Sequence, residues 1–227
     1  MQEFALTIAP GLARVVRAGH AEITGLAPGP ADALDEVVEE EIARLRAADR
    51  GRTAGRIERL AAARGLYRAL GLDPTRHRPS PEALLRRILR GDAFPRIHPA
   101  VDLANLWALE HGLPVGLYDA RKIDGRHIEL RLGRPGETYE GIRRPGIHLE
   151  GRLVLADALG PFGNPTADSR RTAVGGSTRD VLAVLFAPAE HPTGELTRWL
   201  SWLEDKARRL LGAHAVRTAV TCPPEGG

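Results

Sequence analysis

Hydrophobic and polar positions alternate at the start of this chain, cycle with a helical period through its first half, and return to short apolar runs in its second. Residues 3–26 contain EFALTI and ARVVRAGHAEI, β-branched residues in partial alternation broken at Pro10-Gly11, which predicts two short strands forming an opening hairpin. After the loop 27–30 the period lengthens. Leu34, Val37, Val38, Ile42 and Leu45 share one face, and Asp35, Glu36, Glu39 and Glu40 gather early, where they suit the helix dipole. With Asp32 placed to cap it, a helix is expected to about Ala48. A second helix is expected over about 53–70, ending at Gly71. Ser80-Pro81-Glu82 supplies a cap, a proline at the first helical position and an acid in the first turn, leading ALLRRILR into Gly91. Another helix spans roughly Pro99 to His111 and is closed by Gly112, where left-handed geometry is tolerated.

In the second half VGLYDA, HIELRL, RLVLADA, RRTAV and DVLAVLFA are separated by Gly, Pro, Asn and Asp, and they read as strands of one sheet. Thr193 is placed to cap a last amphipathic helix through about Leu211, with Leu196, Trp199, Leu200 and Leu203 inward. The expected fold class is α/β or α+β, a mixed sheet flanked by helices, in a chain of 227 residues that fits one compact domain.

Composition then narrows the chemistry. The chain is 43% hydrophobic, 27% charged and 4% aromatic, with no apolar run long enough for a transmembrane helix and no signal-peptide pattern at its start, so a cytoplasmic protein is expected. One cysteine, Cys222, leaves no intramolecular disulfide and is read as an inert tail thiol; the eight histidines are scattered singly, so no metal is expected. Glycine-rich nucleotide loops and nucleophile elbows are missing, which makes nucleotide-driven chemistry a poor fit and leaves no cofactor expected.

The net charge is +3, but its distribution is uneven. Between Arg44 and Arg96 stand 14 arginines and five acids, a local charge of +9 that the rest of the chain must offset with −6. Such an arginine field suits a phosphate-bearing partner; a solvated helical face is the alternative. Two further segments are chemically dense. Asp102 and Asn105 lie three apart on one helix face and could hold an ammonium group or clamp the preceding loop. Residues 157–178 supply turn glycines, Ser169, Thr172, Ser177, Thr178 and Arg170-Arg171. They could cradle an anion or ester oxygen, or simply connect two strands.

The stretch FPRIHPAVDLANLWALEHGLPVGLYDARKIDG (94–125), with the LVLADALGPFG and TRDVLAVLFAP blocks after it, resembles the editing domain of the β subunit of bacterial phenylalanyl-tRNA synthetase, the B-three/B-four domain. The helix SPEALLRRIL, the turn HGLPVG, the ELR strand and the GETYEGI hairpin follow in the same order. The resemblance runs from about Arg14 to Pro188, which divides the chain into an N-terminal strand segment (1–13), the domain itself (14–188) and a C-terminal helix with a flexible tail (189–227). RHRPSPEALLRRILRG (76–91) is closer to free-standing relatives of the domain.

The resemblance implies an α/β fold holding a pocket for an amino acid esterified to the 3′ end of tRNA, and hence a stand-alone hydrolase of mischarged aminoacyl-tRNA without aminoacylation machinery. In that reading the catalytic group is Asp102, Asn105, Ser169 and Thr172. Arg78, Arg96, His98, Asp157 and Arg170 contact substrate, and Arg76, Arg86, Arg87 and Arg90 form the outer tRNA surface. Asp102, Asn105, Pro114, Tyr118, Asp119 and Asp157 occupy matching positions. Two positions depart: Gly116 stands where the synthetase domain has a histidine, and Val184 where it has the glutamate that selects the tyrosyl hydroxyl. Those departures open a second reading, a non-catalytic tRNA- or amino-acid-binding module, and a third, a small-molecule enzyme that reuses the pocket. The sequence leaves the oligomeric state open.

Overall fold

The computed structural model describes residues 3–27, 31–142 and 144–222, with the side chains of 31, 32 and 54 left out. Its strands form two four-stranded sheets, not one. Strands β1 (Ala5–Ile8), β2 (Val16–Thr24), β3 (Val115–Asp119) and β4 (His127–Leu132) are followed by a short ribbon of β5 (Thr138–Tyr139) and β6 (Ile147–His148). Then come β7 (Leu153–Asp157), β8 (Gly160–Gly163), β9 (Val181–Pro188) and β10 (Ala215–Thr221). One sheet has the order β1-β4-β7-β8 and the other β10-β2-β9-β3. The first is mixed, because β1 runs parallel to β4 while its other pairs are antiparallel.

The predicted opening hairpin is therefore corrected: β1 and β2 fall in different sheets, linked through a 3-10 turn at Pro10–Leu12. Alternation identifies a strand but carries no information about its partner. RRTAV is likewise not a strand; it lies in the turns between β8 and β9. Conversely Ala215–Thr221, which reads in sequence as part of a tail, pairs along its whole length with β2.

The period-2 pattern of β9 explains the layering. Leu182, Val184 and Phe186 face the other sheet, in a cluster with Leu6, Tyr118, Leu130, Leu155 and Phe162, whereas Val181, Ala183, Leu185 and Ala187 face the helices. All eight residues of β9 are buried, as expected of a strand covered on both faces.

The helices are α1 (Ala31–Ala48), α2 (Ala61–Ala69), α3 (Ser80–Leu89), α4 (Pro99–His111) and α5 (Thr193–Leu211). Leu34, Val38, Ile42 and Leu45 of α1 join Trp107 of α4 and Leu196, Leu200 and Leu203 of α5 in the helix-side cluster; Trp199 is half-buried at its margin. The helix expected over 53–70 divides into two 3-10 turns, Ala54–Arg56 and Glu58–Leu60, ahead of α2. Three expected caps also change. Helix α1 begins at Ala31, so Asp32 is inside it, and its side chain lies outside the described residues. Ser80 and Thr193 are the first residues of their helices, not the residues before them, and neither helix end carries a side-chain cap bond. The expected close of α4 is observed, with Gly112 at φ 69°.

Candidate functional site

Aromatic residues are scarce in this chain, and its three tyrosines all reach one loop. Tyr67 on α2 donates its hydroxyl to the Pro165 carbonyl (3.0 Å) and lies 3.2 Å from the Thr166 hydroxyl. Tyr139 on β5 donates to the Ala167 carbonyl. Tyr118 on β3 lies across β8, with its ring edge-on to Phe162 at 4.9 Å between centroids. The loop is also braced from within: Asn164 Oδ1 accepts from the amides of Thr166 and Ala167, both at 2.7 Å.

Tyr118 takes its place because two glycines make room for it. A Cβ at Gly116 would lie 2.0 Å from its hydroxyl oxygen, and one at Gly163 2.3 Å away. Strand register sets Gly116 opposite Val184, and Val184 opposite His20, so these three positions form a row across the sheet. The Tyr118 hydroxyl and Asp168 Oδ1 are both buried and have no hydrogen-bond partner among the described residues. The two groups are close enough for each to act on the other's charge, and burial dominates for both. It raises the Tyr118 hydroxyl far above the ordinary phenol range and pushes the Asp168 carboxyl up to about 7. Burial also pushes Tyr67 up to about 12.

This has a measurable consequence. Folded Asp168 holds its proton up to about pH 7, whereas an unfolded aspartate loses it near 3.9. The stability linked to it is therefore complete below about pH 4 and is lost as pH rises through about 7. Unfolding midpoints followed from pH 5 to 8 are expected to fall, and Asp168→Asn is expected to flatten that trend. An unchanged slope in the variant would assign the titration to another group.

The residues singled out from the sequence form several separate groups. Asp157, with its carboxylate fully buried, receives a bidentate Arg171 (2.8 and 2.9 Å) and the amides of Asp124 (2.8 Å) and Leu159 (3.0 Å). Ser169 Oγ accepts from the Arg171 amide (3.1 Å), and Thr172 Oγ1 donates to the Phe162 carbonyl (3.2 Å). These contacts tie the 157–178 loop to β8 and leave neither hydroxyl facing a cavity. Arg170 is exposed, with its guanidinium without a partner among the described residues.

A second group sits at the start of α4. Asp102 is 3% exposed, and its two oxygens accept from Arg96 Nε (2.8 Å) and the Ile97 amide (3.0 Å). Arg96 extends onward to Asp35 on α1. His98 caps the helix by accepting from the Ala100 amide (3.2 Å), and burial lowers its pKa. Asp102 thus makes a clamp's contacts, while Asn105 is half-buried and makes no side-chain hydrogen bond among the described residues. The two do not converge on one atom.

The arginines of 44–96 divide into tied and free. Arg59 binds Asp49, and Arg64 binds the buried Glu82 at 2.7 Å, with Arg78 3.7 Å away. Arg90 pairs with Asp92 at 2.9 Å, Arg87 donates to the Ala93 carbonyl (2.7 Å), and Arg76 lies 3.9 Å from Asp73. Arg86 is exposed with no partner among the described residues, so α3 presents Arg86 and the half-neutralised Arg90 outward.

The B3/4 domain family model matches residues 62–192, more than half of the chain. The chain belongs to the B3/4 domain family. Its curated relatives include the phenylalanine–tRNA ligase beta subunits of Nocardia farcinica, 35% identical over 117 residues, and of Symbiobacterium thermophilum, 40% identical over 86. Those matches cover 51% and 37% of this chain but only 14% and 9% of the two subunits, so this B3/4 protein corresponds to a small part of each. A solved N-terminal fragment of the phenylalanyl-tRNA synthetase beta subunit from Pyrococcus horikoshii is 14% identical, with a TM-score of 0.49, covering 96% of this chain and 52% of the fragment.

Sequence reasoning missed the Tyr118–Asp168 pair. One of the chain's three tyrosines stands in the HGLPVGLYDA block, but nothing in the sequence joins it to Asp168.

Proposed function

We propose that this B3/4 protein acts on aminoacyl-tRNA in the cytoplasm, hydrolysing the ester at the 3′ end of a mischarged tRNA. The observation that carries the reading is the Asp168 carboxyl beside the Tyr118 hydroxyl, with Asp168 Oδ1 and that hydroxyl both buried, on the loop to which Tyr67 and Tyr139 donate. Unsatisfied buried polar groups are costly and concentrate where a substrate will complete them. A carboxyl with a pKa near 7 suits proton transfer at neutral pH. In this reading water adds to the ester carbonyl, and Asp168 takes its proton. The carbon–oxygen bond to the ribose then breaks, and the proton passes to the departing 3′ oxygen. An aminoacyl ester is already activated, so positioning and charge stabilisation supply most of what remains. Because the Tyr118 hydroxyl is buried, substrate entry requires the 164–169 loop to part from it. Arg86, Arg90 and Arg170 face solvent and are suited to tRNA phosphates.

One observation favours a binding module instead. Tyr118 fills the space that a side chain at position 116 would need, and Ser169, Thr172 and Asp102 are all engaged within the protein. Release of labelled amino acid from a panel of correctly and incorrectly charged tRNAs separates the two readings. Hydrolysis predicts selective turnover that Asp168→Asn lowers about 100-fold or more without lowering the melting temperature. Absence of turnover, with tRNA binding that weakens between 50 and 200 mM salt, would leave the binding module.

A further inference from the structure

A second, open cleft of about 680 Å³ lies where the start of β1, the end of β2 and the starts of β9 and β10 meet the turn after β3. Its volume is in the range of small-molecule sites, about 300–1,000 Å³, and no residue of the tyrosine-held loop lines it. Phe4, Ala120 and Val181 contribute apolar walls that are almost fully buried. The rim turn at Gly25 is fixed by backbone geometry: φ is 65°, and a Cβ there would lie 2.7 Å from His214 Cβ.

The charges in the cleft do not balance. Asp180 is satisfied, accepting from the Gly25 amide (2.9 Å) and from Arg121 Nε (2.6 Å). Glu22 is not. It is 4% exposed and lines the cleft, and Oε1 accepts a single bond from the Phe4 amide at 3.0 Å. Among the described residues no Lys, Arg or His comes within ion-pair distance of it. Its cross-strand neighbour Arg217 bonds Glu3, at 2.5 Å, and acts on Glu22 only as a nearby charge, without a direct bond. Burial accordingly raises the Glu22 carboxyl above its ordinary range. A carboxylate held in this way is costly unless a cation reaches it.

We propose that this cleft binds a small organic ammonium ion, a primary amine on a short apolar body, with Glu22 as its counter-ion. The ammonium supplies the missing positive charge, and the apolar body covers Phe4 and Val181. The site stands apart from any action on tRNA and needs none of the residues assigned to it.

The test uses 3-methylbutylamine and its neutral counterpart 3-methylbutanol, titrated into the full chain by calorimetry and followed by amide NMR shifts at Gly25, Val181 and Ala215. Saturable amine binding is expected, at least ten-fold tighter than the alcohol. Glu22→Gln, which keeps an oxygen for the Phe4 amide, should remove that preference. Ala215→Trp, which fills the mouth, should abolish binding of both. No saturable amine binding to the unaltered chain, equal binding of amine and alcohol, or full amine affinity in Glu22→Gln would each overturn the proposal. If Glu22→Gln does not fold, the amine-to-alcohol ratio on the unaltered chain and the loss of binding in Ala215→Trp decide it.

Discussion

Replacing Gly116 by histidine, the residue that the resemblance to the synthetase domain implies at that position, is expected to destabilise the protein by about 3 kcal/mol or more and to restore no pocket. The reason is steric. Even the first atom of a side chain at 116 would lie 2.0 Å from the Tyr118 hydroxyl oxygen and 2.5 Å from the ring carbon bearing it. Tyr118 has nowhere to retreat, because it is fully buried between Phe162 and Gly163. Overpacking a filled core costs about 1–3 kcal/mol for a methylene or two, and an imidazole exceeds that. In a chain of this size each kcal/mol lowers the melting temperature by about 2–4 °C. Gly116→Ala alone should cost about 2 kcal/mol. The pairing is tested by a double-mutant cycle with Tyr118→Ala, in which Gly116→His should become less harmful by at least about 1 kcal/mol. If Gly116→His melts with the parent, Tyr118 does not close this space, and the binding-module reading loses its main support.

The second large effect concerns Asp102. Asp102→Ala removes the acceptor of the Ile97 amide and one anchor of Arg96, on a carboxylate almost sealed from solvent. A stranded buried donor costs about 1–3 kcal/mol, and the Arg96 bond adds less than a fully buried pair would, because that guanidinium is 42% exposed and keeps Asp35. A loss of about 2–4 kcal/mol is expected in urea or thermal unfolding. Asp102→Asn, which can still accept from Ile97, should recover about half. Any esterase activity should fall only in proportion to the unfolded fraction. Activity lost in a variant that remains fully folded would return Asp102 to the catalytic group.

How much could be read beforehand depended on whether a signal was local. Helices α3 and α4 were legible because Pro81 and Pro99 sit in first turns and Gly112 supplies a left-handed close, all within one turn of the helix they delimit. The β9 run was legible because eight apolar residues in succession suit a strand covered on both faces and little else. Partnership was not legible, so β1 and β2 looked like neighbours although each pairs with strands from distant parts of the chain. Strand β10 was hidden because it lies at a sheet edge with only Val216 of its seven residues buried, and so reads as a tail. Among the site residues, Asp102 was legible as an inward carboxylate in need of a partner, and Arg96 and the Ile97 amide supply one. Ser169 and Thr172 drew attention through their chemistry, but their hydroxyls were taken by backbone groups that only the folded loop brings near. Asp168 escaped notice because nothing adjacent to it in sequence forecasts its enclosure by residues from α2, β3 and β5.

The antiparallel pairing of β2 with β9 also bears on how the chain reaches this state. Val16 lies opposite Pro188, so the sheet closes a loop of about 170 residues before its central pair exists, and β10 then returns to the same strand from still farther along. Such closures are entropically uphill until late contacts reward them, which makes assembly slow compared with a helical protein of this length. Until the N-terminal strand arrives, β9 is an apolar ribbon with one unpaired side, the kind of edge that recruits other chains. The stretch 62–192, excised from its surroundings, would hold that side open permanently. A B3/4 core cut to those limits is therefore a recipe for aggregation, and the flanking strands act as its built-in guard against self-association.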